Sequence, residues 1–294
     1  MKPFYLVETI TKDKLVHQGI FFRPEKPSKK AILWVHGLSG KFYSDPDMME
    51  SFAQLCDEEG WGFASFNNRG HDLVSSTHRL DPSSSSGYTY AFGGAGYENF
   101  KECVWDVHAA IEFLVARGFS EVILVGHSTG ATKVCFAEGT KPHKNVAAVV
   151  LAGALSDRLA GDVDDEKLKT DLARIQRLIT EGKGDELVNG LSFFPMTPKR
   201  FLSLYQKGSA EDVFDFDNGE KSLHVFSAIT KPLFVIISEK DEYLNGPASD
   251  IVRLFDEKTT SGNYKSLIFP DANHGFEGKE KEFVRSVAEW VRTI

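Results

Sequence analysis

The chain has 294 residues, 41% of them hydrophobic, which is enough for one large domain or one domain carrying an insertion. Its 34 basic residues against 42 acidic ones leave a formal charge of −8, and with no basic run this argues against a nucleic-acid binder. No apolar run is long enough to span a membrane, and Met1-Lys2-Pro3-Phe4-Tyr5-Leu6 is followed by Glu8 and Thr9 instead of an apolar signal core, so a soluble cytoplasmic protein without membrane association is expected.

Phe4 to Ile10 and Leu15 to Phe22 read as two strands joined at Lys12-Asp13-Lys14, an antiparallel hairpin at a sheet edge. Ala31 to Val35 is a compact apolar strand that breaks at His36-Gly37. Asp45-Pro46 is a helix start, a capping carboxylate followed by proline in the first turn. Met49, Phe52, Leu55 and Cys56 give that helix its apolar face, and Gly60 stops it. Gly62 to Phe66 is the next strand. Asn67 to Gly96 reads as a long irregular loop, of the kind that in a compact domain is functional or mobile. Phe100, Cys103, Val104, Val107, Ile111 and Leu114 then recur at helical spacing up to Gly118.

Buried strands follow at Val122 to Val125, Ala147 to Ala152, Leu233 to Ile237 and Leu267 to Phe269. Phe283, Val287, Trp290 and Val291 mark a closing helix. Short continuous apolar strands alternating with amphipathic helices mean a parallel sheet covered on both faces. One stretch breaks the rhythm: from Ser156 to Ser227 no strand is convincing, whereas Asp164 to Thr180 and Pro198 to Tyr205 look helical. The expected organisation is a core of residues 1–155 and 228–294 with a helical cap, or lid, at 156–227. Cys56, Cys103 and Cys135 are odd in number and lack metal spacing, which fits buried free thiols in a reducing compartment. The histidines also lack ligand spacing, so no metal and no other cofactor is expected. The sequence leaves a homodimer open.

The chemistry centres on Gly126-His127-Ser128-Thr129-Gly130. A serine between a strand and a helix must sit on strained backbone to expose its hydroxyl, and flanking glycines remove the side chains that would collide there. The helix from Thr129 onward points its N-terminal amides at the same spot. An ordinary Gly/Ser turn would share the G-x-S-x-G spacing. The strand before it and the helix after it favour a nucleophile at Ser128.

With hairpin, His36-Gly37 strand, elbow, insertion, late acid and late histidine, nearly the whole chain resembles the α/β-hydrolase family. That resemblance implies a mostly parallel eight-stranded sheet flanked by helices, an inserted helical cap, and a Ser-Asp-His triad in that chain order. His274, in Asp271-Ala272-Asn273-His274-Gly275-Phe276, alone among the nine histidines follows the last strand and is the expected base. The loop Ser238-Glu239-Lys240-Asp241-Glu242 offers three carboxylates. The family's spacing selects Asp241 over Glu239 and Glu242, and a short side chain also orients an imidazole more rigidly. Asp157, after the sixth strand, is the alternative some relatives use. The family's oxyanion hole maps onto the backbone N–H groups of Thr129 and Leu38.

His36 and His127 are scaffold positions in the family. Asn67-Asn68-Arg69-Gly70-His71-Asp72 resembles the family's Arg-Gly-His-Gly turn, with Asp72 in place of glycine and Arg69 expected to be paired internally. This run, together with Gly-His-Ser-Thr-Gly, resembles a hydrolase branch that includes fungal siderophore-ester hydrolases. The expected activity is carboxylesterase-like: hydrolysis of an ester of a small, moderately apolar or aromatic molecule through an acyl-enzyme. Phe194 and Phe201 of the aromatic lid are the candidate substrate contacts. A lactonase, thioesterase or C–C hydrolase would use the same triad, and a non-catalytic small-molecule receptor could use the same scaffold.

Overall fold

The computed structural model describes residues 2–160 and 164–294. β1 (Tyr5–Ile10) and β2 (Val16–Phe22) form the antiparallel hairpin, with Tyr5 opposite Phe21 and Ile10 opposite Val16. β3 (Lys30–Val35) leads to α1 (Pro46–Glu59). Asp45 caps that helix through Oδ1, which accepts from the Met48 N–H at 2.9 Å, and Gly60 closes it at φ 71°. β4 (Gly62–Phe66) follows.

The next stretch differs from the expected irregular loop. It contains a two-stranded antiparallel ribbon, β5 (Ser75–Leu80) and β6 (Tyr88–Gly93). Of β5 only Thr77 is buried; β6 alternates Tyr88, Tyr90 and Phe92 with Thr89 and Ala91, and all three of its aromatic side chains are exposed.

A 3₁₀ turn at Phe100–Glu102 runs into α2 (Cys103–Val115), then β7 (Glu121–His127), α3 (Thr129–Thr140) and β8 (Val146–Ala152). Between β8 and the next sheet strand lie α4 (Asp165–Thr180), α5 (Pro198–Tyr205) and α6 (His224–Ser227). The chain closes with β9 (Leu233–Ser238), α7 (Ala248–Lys258), β10 (Tyr264–Phe269) and α8 (Glu280–Val291).

One sheet takes eight strands in the order β1-β2-β4-β3-β7-β8-β9-β10. β1 with β2 and β2 with β4 are antiparallel, and the other neighbours are parallel. Apolar side chains leave both faces. On one, Trp34, Phe63, Val125 and Ile236 meet Phe52 of α1 and Phe283, Val287 and Trp290 of α8. On the other, Leu33, Leu124, Leu151 and Val235 meet Val107 and Ile111 of α2, Val134 of α3 and Phe255 of α7.

The segment between β8 and β9 has an apolar cluster of its own, with Ile175, Leu191, Phe194, Met196, Phe201 and Leu204 joined by Ala95 from the body. Its last part packs elsewhere: Val213, Phe214, Leu223, Val225 and Phe226 are buried in the core against α7.

Candidate active site

Ser128 sits where β7 ends and α3 begins, at φ 57° and ψ −131°. A residue with a Cβ occupies that region only under strain, of order 1–3 kcal/mol, and only when its surroundings over-determine it. They do so here. The Ser128 N–H donates to Ala152 of β8 at 2.9 Å, and its carbonyl accepts from Ala131 at 2.8 Å. The motif glycines let the turn close. A Cβ on Gly126 would lie 2.4 Å from the Gly130 carbonyl oxygen, and one on Gly130 would lie 2.0 Å from that of Val35.

Asp241 and His274 come together across the ends of β9 and β10. His274 Nδ1 lies 2.8 Å from Asp241 Oδ2, and the other carboxylate oxygen accepts the Tyr243 N–H at 3.1 Å. Asp241 is buried. A carboxylate can only accept, so the Nδ1 proton points at Asp241 and Nε2 keeps its lone pair in the neutral imidazole. The other two acids of the loop do a different job. Glu242 accepts the backbone N–H of His274 at 3.0 Å, and Glu239 accepts that of Asp271 at 2.9 Å. Both therefore hold the turn that carries the imidazole. The hydrogen-bond partner of His274 Nδ1 is Asp241, not Asp157.

The flanking histidines are fixed and neutral. His127 Nε2 donates to the His274 carbonyl at 2.8 Å while its ring stacks on Trp34, 5.7 Å between centroids. Burial, then the nearby His274, lowers its pKa to about 4. His36 donates from Nδ1 to the Gly37 carbonyl at 2.9 Å and accepts the Asn68 N–H, and burial, then Lys133, lowers its pKa to about 3. Sequence reasoning missed that His127 anchors the His274 main chain. Its place inside the elbow motif was the signal.

Thr129 opens α3, so its N–H is among those an α-helix leaves without an intrahelical acceptor. Gly37 approaches Ser128 so closely that a Cβ there would lie 2.9 Å from Ser128 Cβ. Leu38, the next residue along the chain, lines the same cavity as Ser128. Ser128, His274, Thr129 and Leu38 all line one cavity of about 960 Å³.

Two buried ionic clusters support the site. Arg69 donates to Asp106 from Nε at 3.0 Å and from Nη2 at 2.8 Å, and also pairs with Glu102, so it is held internally. Asp106 is held well below the usual carboxylate range, for although burial opposes ionisation, Arg69 and His17 more than offset it. Asp72, which replaces the family's glycine, has φ 62°, the left-handed conformation in which glycine is unstrained, and it pairs with Lys41 at 2.8 Å.

The second cluster starts on α3. Lys133 Nζ lies 2.7 Å from Glu98 and donates to Asn68 Oδ1 at 2.9 Å. Glu98 in turn meets Arg200 of α5 at 3.2 Å, and Arg200 also pairs with Glu211 and donates to the Ala95 carbonyl at 2.8 Å. Burial opposes ionisation of Glu98, but Lys133 and Arg200 hold its pKa low.

Of the two phenylalanines singled out in the sequence between β8 and β9, Phe201 lines the cavity. Phe194 does not; it is buried in the lid's apolar cluster, and its exposed neighbour Phe193 faces the cavity instead. Leu155, Leu168, Tyr205 and Tyr243 complete the apolar wall. Tyr243 also sets its ring edge-on to His274, at 4.9 Å between centroids. Among the described residues no cluster of His, Cys, Asp and Glu could hold a metal ion, and no helix is long and apolar enough to cross a membrane. Cys56, Cys103 and Cys135 are free and buried.

Residues 81–293 match DUF1749, a family described as "protein of unknown function". The chain belongs to the DUF1749 family. No curated protein matches it in sequence.

Solved structures share its fold. The siderophore hydrolase EstB from Aspergillus fumigatus superimposes with a TM-score of 0.70 at 14% identity, over 99% of this chain and 98% of its own. Est1E from Butyrivibrio proteoclasticus, solved with ferulic acid, gives 0.65 at 14% identity over 98% of each chain. The Pyrococcus furiosus esterase Pf2001 gives 0.60 at 16% identity, over 99% of this chain and 91% of its own. At such identities the likeness speaks for the fold alone. This DUF1749 member is an α/β-hydrolase in architecture.

Proposed function

We propose that the chain is a serine hydrolase that cleaves a carboxylic ester of a small, moderately apolar or aromatic molecule. The observation that carries this reading is Ser128 on strained elbow backbone, in one cavity with a His274 whose Nδ1 is 2.8 Å from Asp241. Ser128 Oγ attacks the ester carbonyl carbon, and His274 Nε2 takes the hydroxyl proton. Asp241 fixes the tautomer and stabilises the imidazolium without taking the proton itself. The oxyanion is received by the N–H groups of Leu38 and Thr129, each worth about 3 kcal/mol of barrier lowering in comparable sites. The C–O bond breaks, His274 returns the proton to the leaving alcohol, and water releases the acyl group by the reverse roles.

The aromatic wall of Phe193, Phe201, Tyr205 and Tyr243 supports an apolar or aromatic acyl or alcohol part. The esterase names of Est1E and Pf2001, and the siderophore hydrolase name of EstB, agree with this reading.

The test is Ser128→Ala against a series of chromogenic esters of increasing acyl size, with fluorophosphonate labelling of the parent. Labelling at Ser128 and loss of turnover by a factor on the order of a million in the variant are expected. A variant that kept a tenth of the activity would overturn the reading.

A further inference from the structure

We propose that the cavity selects an ester carrying a positively charged nitrogen, a quaternary or protonated amine, which lodges between Asp157 and an acidic mouth. The ester part rests on the hydrolase reading above; the cation part rests on the walls of the cavity.

Asp157 follows β8 and lines the cavity with Ser128 and His274. Its carboxyl has no hydrogen-bond or ion-pair partner among the described residues. The charged groups that face it are Glu211, Arg200, His274 and Lys133. Neither of the two permanent cations is available to it. Arg200 is engaged by Glu211 and Glu98, and Lys133 by Glu98 and Asn68. Burial, then Glu211, pushes its pKa up to about 7. A carboxyl held this way costs stability unless something arrives to pair with it.

The mouth has the same sign. Asp45, Asp47, Asp164, Glu277 and Glu280 all line the cavity, and none is in an ion pair among the described residues. They act on one another: the pKa of Asp45 is raised first by burial and then by Glu280, Asp47 and Glu277. The lysines on the same wall are neutralised, Lys41 by Asp72 at 2.8 Å and Lys167 by Asp171. A cleft lined by one sign of charge over low-dielectric walls concentrates the opposite ion. Tyr243, Tyr205 and Phe201 add aromatic faces that also attract a cation.

The experiment compares two p-nitrophenyl esters of equal shape, the 4-(trimethylammonio)butanoate and the 5,5-dimethylhexanoate, each normalised to its spontaneous hydrolysis. The cation is permanent, so the substrate does not titrate. The wild-type kcat/KM ratio should favour the cationic ester by about tenfold at pH 8. It should rise with pH through neutrality as Asp157 ionises, because the His274 contribution is common to both esters and cancels. Raised salt should shrink it. In Asp157→Asn the ratio should fall toward one and lose its pH dependence.

A wild-type ratio at or below one, with the neutral ester turned over, would overturn the cation proposal and leave the hydrolase reading standing. Calorimetric binding of the two corresponding methyl esters to Ser128→Ala reads the same preference without chemistry. If neither p-nitrophenyl ester is hydrolysed and Ser128 resists fluorophosphonate, the hydrolase reading fails. A tenfold preference for the cationic methyl ester would then still uphold the cation site, and equal affinities would overturn it.

Discussion

Asp157 costs the fold something, and the size of that cost is measurable. Its ordinary pKa is 3.8 and burial raises it to about 7 in the folded protein. Between those values the native state holds a proton that the unfolded chain has lost. Stability therefore declines as pH rises across that window, and the loss is complete above about pH 7. Asp157→Asn removes the ionisation and should stabilise the protein at pH 8 by roughly 2–4 kcal/mol. The gain should fade as pH falls and vanish below about 4. Urea midpoints at pH 4 and pH 8 check this, and a variant less stable than wild type at pH 8 would contradict it. Such a gain is the usual mark of a residue kept for binding and not for folding. The sequence pointed to Asp157 only as an alternative acid, because position along the chain says nothing of which carboxylate reaches an imidazole. Asp241 was preferred over Glu239 and Glu242 on the family's spacing; in the structure the three acids of that loop are told apart by the neighbouring turn, where Asp241 meets the His274 ring and the two glutamates accept backbone N–H groups.

Among the elements, the helices between β8 and β9 were legible and their facing was not. Asp164 to Thr180, expected as a helix, contains α4, whose Leu168, Leu172, Ile175 and Leu178 face one apolar cluster, and Thr197-Pro198 starts α5, with the threonine Oγ accepting the Arg200 N–H at 3.2 Å. Phe193 and Phe194 are adjacent, however, and in a loop without periodicity nothing in the residues says which one turns inward. Phe194→Ala should cost about 3–5 kcal/mol of stability by opening a hole in the lid cluster. Phe201→Ala should instead shift relative kcat/KM between an acetate and a bulky aromatic ester by roughly 1–3 kcal/mol. Paired kinetics and thermal melts of the two variants separate these effects. An equal shift in ester preference from both would refute the division. The β5–β6 ribbon was only half legible: Tyr88, Tyr90 and Phe92 alternate at strand spacing in β6, but its partner Ser-Ser-Thr-His-Arg-Leu has no apolar alternation to mark a second strand.

For the whole molecule, the composition and the alternation of buried strands with amphipathic helices gave a parallel sheet covered on both faces. The family resemblance supplied the number of strands, but the strand order came only with the structure, since periodicity carries no information on which strands are neighbours. What the sequence hid altogether is the line of buried charge from α3 to the lid, Lys133 to Glu98 to Arg200 to Glu211, whose members are scattered over more than a hundred residues. Arg200→Met should leave two buried carboxylates short of a partner and cost about 3–5 kcal/mol. Chemical denaturation would check it, and a loss under 1 kcal/mol would mean the line is not holding the lid.

The same line limits how this protein can be recombined. The helix that begins after Ser128 carries a lysine that shares one buried carboxylate, Glu98, with an arginine of the segment between β8 and β9. A graft that exchanged residues between β8 and β9 for those of another α/β-hydrolase would strand Glu98 with one cation in place of two. Chimeras of this scaffold should therefore fold only when the donor segment brings a guanidinium to that position, or when Glu98 is replaced in the same step. In this molecule the segment between β8 and β9 and the helix that follows Ser128 are tied by charge and would have to be exchanged together.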